Sequence, residues 1–125
     1  MLKTAVIGVG YLGRFHAQKY AELAESELIG VVDVDSIKGQ KVADEIKVPF
    51  FDDFKEILDL VDAVSIVVPT VHHFKTAKAF MEKGVHVLIE KPFAAKIEEA
   101  EELEQLSRVN NLCLQIGHLE RFNPV

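Results

Sequence analysis

The chain predicts an α/β fold, a doubly wound parallel sheet with helices on both faces. Short apolar runs rich in Val, Ile and Ala alternate with longer helical patterns along the whole sequence, the order expected of βαβ units. The runs are apolar throughout rather than alternating, as strands are when helices cover both faces of their sheet. The first run ends in Gly8-Val9-Gly10-Tyr11-Leu12-Gly13, directly before a helical pattern.

The elements follow in order. Residues 4–7 are the first strand, ended by Gly8. Leu12, Phe15, His16, Tyr20 and Leu23 recur at steps of three and four, which predicts a helix with these residues on its apolar stripe and His16 in the core. Residues 28–32 form a second strand, followed by a helix over 37–46. A short third strand is expected at 48–51, with a small helix near 54–58. Residues 63–68 make a fourth strand, stopped by Pro69. Phe74, Ala77, Phe80 and Met81 predict the next helix, and Gly84 stands at the C′ position, where glycine is favoured. Residues 85–89 form the fifth strand. Ile97, Ala100, Leu103 and Leu106 lie on one face of an acidic helix, and residues 112–116 form the sixth strand. The run Glu98, Glu99, Glu101, Glu102 and Glu104 reads as that helix's solvated face.

Composition bounds the function. The chain has 125 residues, 49% hydrophobic and 27% charged, which fits one soluble domain with an ordinary core. No apolar run nears the roughly 20 residues of a bilayer span, and "MLKTAVIGVG" is too short and Gly-rich for a signal peptide. The expected location is therefore the cytoplasm, with no membrane partner. Cys113 is the only cysteine, which leaves neither an internal disulfide nor a cysteine metal cluster. The net charge is −6 and the 14 Lys/Arg are scattered, so no basic stripe for nucleic acid is expected. His72 and His73 are neighbours, but adjacent side chains point apart and no Cys/His/Asp set joins them, so no metal is expected.

The glycine motif follows an apolar strand and opens a helix, the context that marks a dinucleotide turn. Gly8 permits the tight turn, Gly10 lets a pyrophosphate approach the backbone, and Gly13 allows close helix–strand packing. The helix N-terminus offers free N–H groups and a positive dipole end to phosphates. Asp33 closes the second strand 20 residues after Gly13, where a carboxylate meets the ribose hydroxyls. Asp35 is a competing acid farther into the loop. A 2′-phosphate needs a cation beside it, often an arginine, yet Val34 and Asp35 follow Asp33. This predicts NAD(H) over NADP(H), with Lys38 the nearest cation.

Ligands of such sheets lie beyond the carboxyl ends of the strands, near the switch point. The fourth strand ends in "VVPTVHHF", the fifth in "LIEKPFA" and the sixth in "QIGHLERFNP". Lys91 sits where it reaches the reacting end of a dinucleotide. A positioned ammonium orients a substrate hydroxyl, and a lysine of depressed pKa accepts its proton as hydride leaves. Glu90 either orients Lys91, tethers the ribose or simply ends the strand.

These motifs together, G-x-G-x-x-G, "VVD", P-x-x-x-H, Glu-Lys-Pro and "GHLERFNP", resemble the Gfo/Idh/MocA oxidoreductase family over essentially the whole chain. The resemblance implies an N-terminal Rossmann domain, normally followed by a second α/β domain that holds most substrate contacts and the oligomer interface. Residues 1–117 would be the dinucleotide-binding domain and 118–125 the start of the bridge to that second domain. Gly8, Gly10, Tyr11, Leu12, Gly13 and Asp33 match the family's dinucleotide loop and ribose acid. Pro69 and Thr70 match the cofactor-touching turn after the fourth strand, where the family often has asparagine in place of Thr70. His73 matches the family histidine of that loop, against helix capping or loop packing as its other reading. Glu90, Lys91 and Pro92 match the signature that sets a lysine near nicotinamide and the substrate hydroxyl. His118 and Arg121 either meet substrate or anchor the hinge. The implied activity is hydride transfer between NAD(H) and a sugar or nucleotide-sugar hydroxyl, with Lys91 catalytic and a homo-oligomer formed through the second domain. The competing classes are a non-catalytic NAD-binding sensor and a methyltransferase, which shares a glycine loop and an acid after the second strand.

Overall fold

The computed structural model describes residues 2–68, 72–90 and 97–117. In chain order its elements are β1 (Leu2–Ile7), α1 (Tyr11–Glu22), β2 (Ser26–Val32), α2 (Ser36–Ile46), β3 (Phe50–Phe51), a 3₁₀ turn (Phe54–Ile57), β4 (Ala63–Ile66), α3 (His73–Glu82), β5 (His86–Glu90), α4 (Ile97–Val109) and β6 (Leu114–Gly117). The six strands form one sheet in the order β3-β2-β1-β4-β5-β6, and every neighbouring pair is parallel. This is the doubly wound order, with its switch point between β1 and β4.

Period-two alternation along the strands divides the core. Ala5, Ile7, Val64, Ile66, Val87 and Ile89 point to one face, where Ala77, Phe80 and Met81 of α3 and Leu103 of α4 cover them. Val6 and Val31 point to the other face, against Ala17 of α1 and Val42 and Ala43 of α2. Both faces of the central strands are thus apolar, which is why they read as unbroken apolar runs.

Several boundaries and buried faces differ from the periodicity, three of the boundaries for a clear local reason. Pro49 has no N–H, so β3 starts at Phe50, although the Pro49 carbonyl still accepts from Val31 N at 3.1 Å. Val85 belongs to the exit of α3: its N–H reaches Phe80 O at 3.1 Å as Gly84 N reaches Met81 O at 3.0 Å, with Gly84 at φ +80°. That pair of bonds is a Schellman motif with glycine at C′. Leu112 N–H likewise turns back to Ser107 O at 2.8 Å, so β6 starts at Leu114. On α1, His16 is buried and Tyr20 half-buried as the stripe predicts, but Gly13 and Ala17 complete the buried face, and Phe15 and Leu23 are exposed. Close packing of this helix on the sheet selects small side chains for the contact and turns Phe15 to its flank. Ile97 also departs from the expected face of α4 and is exposed at its first position.

Among the described residues, no helix is long and apolar enough to cross a membrane, and no group of three His, Cys, Asp or Glu side chains is arranged to hold a metal ion.

Candidate dinucleotide site

The strand ends nearest the switch point converge on a cleft of about 460 Å³. Ile7, Gly8 and Gly10 line it from β1 and its turn, Val32, Asp33, Val34 and Lys38 from β2 and the start of α2. Val67, Val68, His72, Lys75 and Thr76 line it from the β4 and α3 side, and Phe54 closes it from the 3₁₀ turn.

The glycine turn is shaped by its neighbours. Gly8 has φ +95°, and a Cβ there would lie 2.6 Å from Val67 O, so both the backbone angle and the space demand glycine. A Cβ on Gly13 would run into the Gly8 carbonyl, which makes that position a close crossing of helix and turn. Gly10 is different. It has ordinary extended backbone, φ −67° and ψ −161°, and a Cβ there would meet nothing within 4 Å. Gly10 itself lines the cleft. Gly10 is also the N-cap of α1, and no side chain caps that helix. The first-turn N–H groups and the positive dipole end therefore face the cleft without a competing side-chain acceptor.

The two acids after β2 have separate duties. Asp33 lines the cleft, with Oδ2 accepting from Val9 N at 2.9 Å and Oδ1 accepting from Asp35 N at 2.8 Å. One carboxylate thus ties the glycine turn to the end of β2. Asp35 caps α2, its Oδ1 accepting from Lys38 N at 3.0 Å. A second concavity of about 490 Å³ lies against Val9 and Gly10, bordered by Arg14, Lys38, Lys41, Val42 and Glu45. Arg14 donates from Nε and Nη2 to the two Glu45 oxygens, both at 2.6 Å, and this pairing holds the Glu45 carboxyl below the usual carboxylate range.

The adjacent histidines diverge. His72 lines the cleft, whereas His73 is buried, with Nε2 2.6 Å from Val68 O. The structure therefore brings Gly8, Gly10 and Asp33 together around one cavity and leaves the His73 ring out of its lining. Phe54, Lys75 and Thr76 were not anticipated as lining residues. The strand-end rule singles out the first turn of α3, but nothing in the sequence marks Phe54. The side chains of Tyr11, Leu12 and Glu90 lie outside what the structure describes, as do Pro69, Thr70, Lys91, Pro92, His118 and Arg121.

A parallel sheet of this order, with a glycine turn and a ribose-side acid at its switch point, defines a dinucleotide-binding domain. The chain belongs to the Gfo/Idh/MocA family: the family model for the oxidoreductase family, NAD-binding Rossmann fold, matches residues 2–118. A UDP-N-acetylglucosamine 3-dehydrogenase of Acidithiobacillus ferrooxidans is 48% identical over 98% of this chain and 39% of its own length. A solved structure of that dehydrogenase, 49% identical, superposes with a TM-score of 0.91 over 98% of this chain and 40% of the other. The scyllo-inositol dehydrogenase of Lactobacillus casei, solved with NAD(H) and scyllo-inositol, is 30% identical, with a TM-score of 0.89 over 98% of this chain and 38% of that one. The Bacillus subtilis scyllo-inositol 2-dehydrogenase (NADP(+)) IolU is also 30% identical, over 99% of this chain and 39% of its length. The chain thus spans about two fifths of the relatives it matches.

Proposed function

We propose that the chain is the nucleotide-binding half of an oxidoreductase that transfers hydride between NAD(H) and a hydroxyl of a sugar or nucleotide sugar. Residues 1–117 form the dinucleotide domain, and 118–125 open the bridge to a second, oligomer-forming domain. The observation that carries the reading is the open space at Gly10, above an uncapped helix N-terminus and beside Asp33. A pyrophosphate fits that space, because it needs N–H donors and a side-chain-free approach. The relatives named above act on UDP-N-acetylglucosamine and inositols, which supports a sugar-like substrate.

The chain's own residues divide the work. Gly8, Gly10 and Gly13 shape the turn around the pyrophosphate, with Tyr11 and Leu12 between them, and the α1 N–H groups bind it. Asp33 receives the adenosine ribose, its orientation fixed by Val9 N and Asp35 N. Pro69, Thr70 and Glu90 complete the cofactor wall. Lys91 is the catalytic residue: it orients the substrate hydroxyl and takes its proton. His118 and Arg121 approach substrate from the bridge. The nicotinamide, when bound, supplies the hydride acceptor or donor. Asp33 in the cleft, with Lys38 but no arginine among the described lining residues, supports NAD(H) over NADP(H).

Titration of the chain with NADH, NADPH and S-adenosylmethionine tests this. NADH should bind more tightly than NADPH, and S-adenosylmethionine should not bind. Tighter NADPH binding would sink the cofactor preference, and S-adenosylmethionine binding without NADH would favour a methyltransferase.

A further inference from the structure

His73 is the first residue of α3 and only 3% exposed, yet it is polar and absent from the cleft lining. Its Nε2 lies 2.6 Å from Val68 O. A carbonyl only accepts, so Nε2 carries a proton and donates it to Val68 O. Nδ1 is buried and has no hydrogen-bond partner among the described residues. Among the described residues, the ring makes one bond, to the carbonyl five residues before it. That carbonyl belongs to a residue packed on the phosphate turn: a Cβ on Gly8 would lie 3.1 Å from Val68 Cγ1 and 2.6 Å from Val67 O. Val68, His72 and Thr76, around the ring in sequence, all line the cleft.

We propose that His73 is a positioning residue of the dinucleotide site: it acts through the Val68 carbonyl, holds the end of β4 against Gly8, and does not touch the cofactor. The inference rests on the NAD(H) reading for its functional consequence, while its structural part stands without it. A hydrophobic side chain of similar volume would fill the same space but leave the half-buried Val68 carbonyl without this donor. Glutamine, whose amide nitrogen reaches about as far as Nε2, restores a donor.

The test has three arms. Nitrogen-15 NMR of the wild-type imidazole should show the proton on Nε2 of His73, and a ring protonated on Nδ1 with Nε2 bare would overturn the proposal. His73→Leu should raise the NADH dissociation constant about five- to tenfold, while His73→Gln stays within about twofold of wild type. Equal weakening in both would assign the ring a direct cofactor contact, and no weakening in either would remove its role; both outcomes overturn the proposal. Hydrogen exchange at the Val67 and Gly8 amides, which donate to Ile7 O and Val32 O, should quicken in His73→Leu and not in His73→Gln. Unchanged exchange in His73→Leu would overturn the strut. If wild type takes no NADH, the NAD(H) reading fails while tautomer and exchange still decide His73. If His73→Leu does not fold, the tautomer and His73→Gln decide it.

Discussion

At the scale of single residues, Gly8 and Gly10 look alike in the sequence but do opposite things. Gly8 is needed by the fold, since it combines φ +95° with a carbonyl 2.6 Å from where its Cβ would stand. Gly10 is free of both constraints, and its emptiness faces the cleft. Gly8→Ala should therefore cost about 1–3 kcal/mol of stability through backbone strain and the clash. Gly10→Ala should change stability by no more than about 0.5 kcal/mol. It should nonetheless weaken NADH by at least about tenfold, because the methyl takes the place of the pyrophosphate's approach. Urea unfolding and NADH titration of both variants check this, and an equal loss of stability in the two would contradict it. The motif was legible in the sequence because these glycines sit between a strand and a helix. The division of duties was not, because it depends on Val67 arriving from β4, nearly sixty residues away in a different part of the chain. Asp33 was legible in the same way, but its bonds to Val9 N and Asp35 N were not. Nor did adjacency tell His72 in the cleft from His73 beneath it, since that depends on how α3 seats on β4.

At the scale of elements, the helical and strand periods identified each segment, and what they missed were residues that work between elements. Gly39 lies mid-helix in α2, where glycine is a poor helix former and alanine would ordinarily gain about 0.5–1 kcal/mol. Its missing Cβ, however, is where the Phe50 ring of β3 lies, with Cδ1 2.7 Å from the built position. Overpacking costs about 1–3 kcal/mol, so Gly39→Ala should lower stability despite its better propensity. A double-mutant cycle with Phe50→Ala should recover the propensity gain. A stabilised single variant in thermal melts would refute the packing account. Tyr20 is a second such residue, its hydroxyl 2.6 Å from Ser65 Oγ, joining α1 to β4 across the switch point. Burial pushes the Tyr20 phenol above its ordinary value of 10.0, and the Ser65 bond offsets only part of that. The folded state thus favours the neutral phenol more than the unfolded state does. The associated stability is complete below the unfolded pKa near 10 and is lost as pH rises through the folded value. Chemical unfolding between pH 8 and 11 should show this alkaline loss, and Tyr20→Phe should flatten it. It should also cost about 1–3 kcal/mol near neutrality by leaving Ser65 Oγ buried without its phenol. An identical alkaline slope in the variant would rule the effect out.

At the scale of the whole molecule, binding and turnover separate. The parts proposed to hold a dinucleotide come from three strand ends and two helix starts around one sheet: the glycine turn, Asp33, the end of β4 and the first turn of α3. They are built by contacts within this chain, so the chain alone is expected to bind the cofactor. Hydride transfer requires more. The substrate carbon must sit about 3–3.5 Å from the nicotinamide with its hydroxyl aligned to the base, and such positioning supplies about 7–11 kcal/mol of the barrier. Lys91, the proposed base, follows β5 in the sequence, and the chain covers only 39% of the length of the 48% identical dehydrogenase. A free sugar would meet the base without the walls that align it. The expected result for the 125-residue chain is saturable NADH binding with oxidation of UDP-N-acetylglucosamine or inositols at least about a thousandfold below that of a two-domain relative assayed alongside. Lys91→Ala should leave NADH affinity within about threefold, because an ammonium near the nicotinamide bears on the reacting end rather than on the pyrophosphate. Turnover by this chain at the rate of the longer enzyme would mean that alignment is achieved within the Rossmann sheet, and the two-domain proposal would fall.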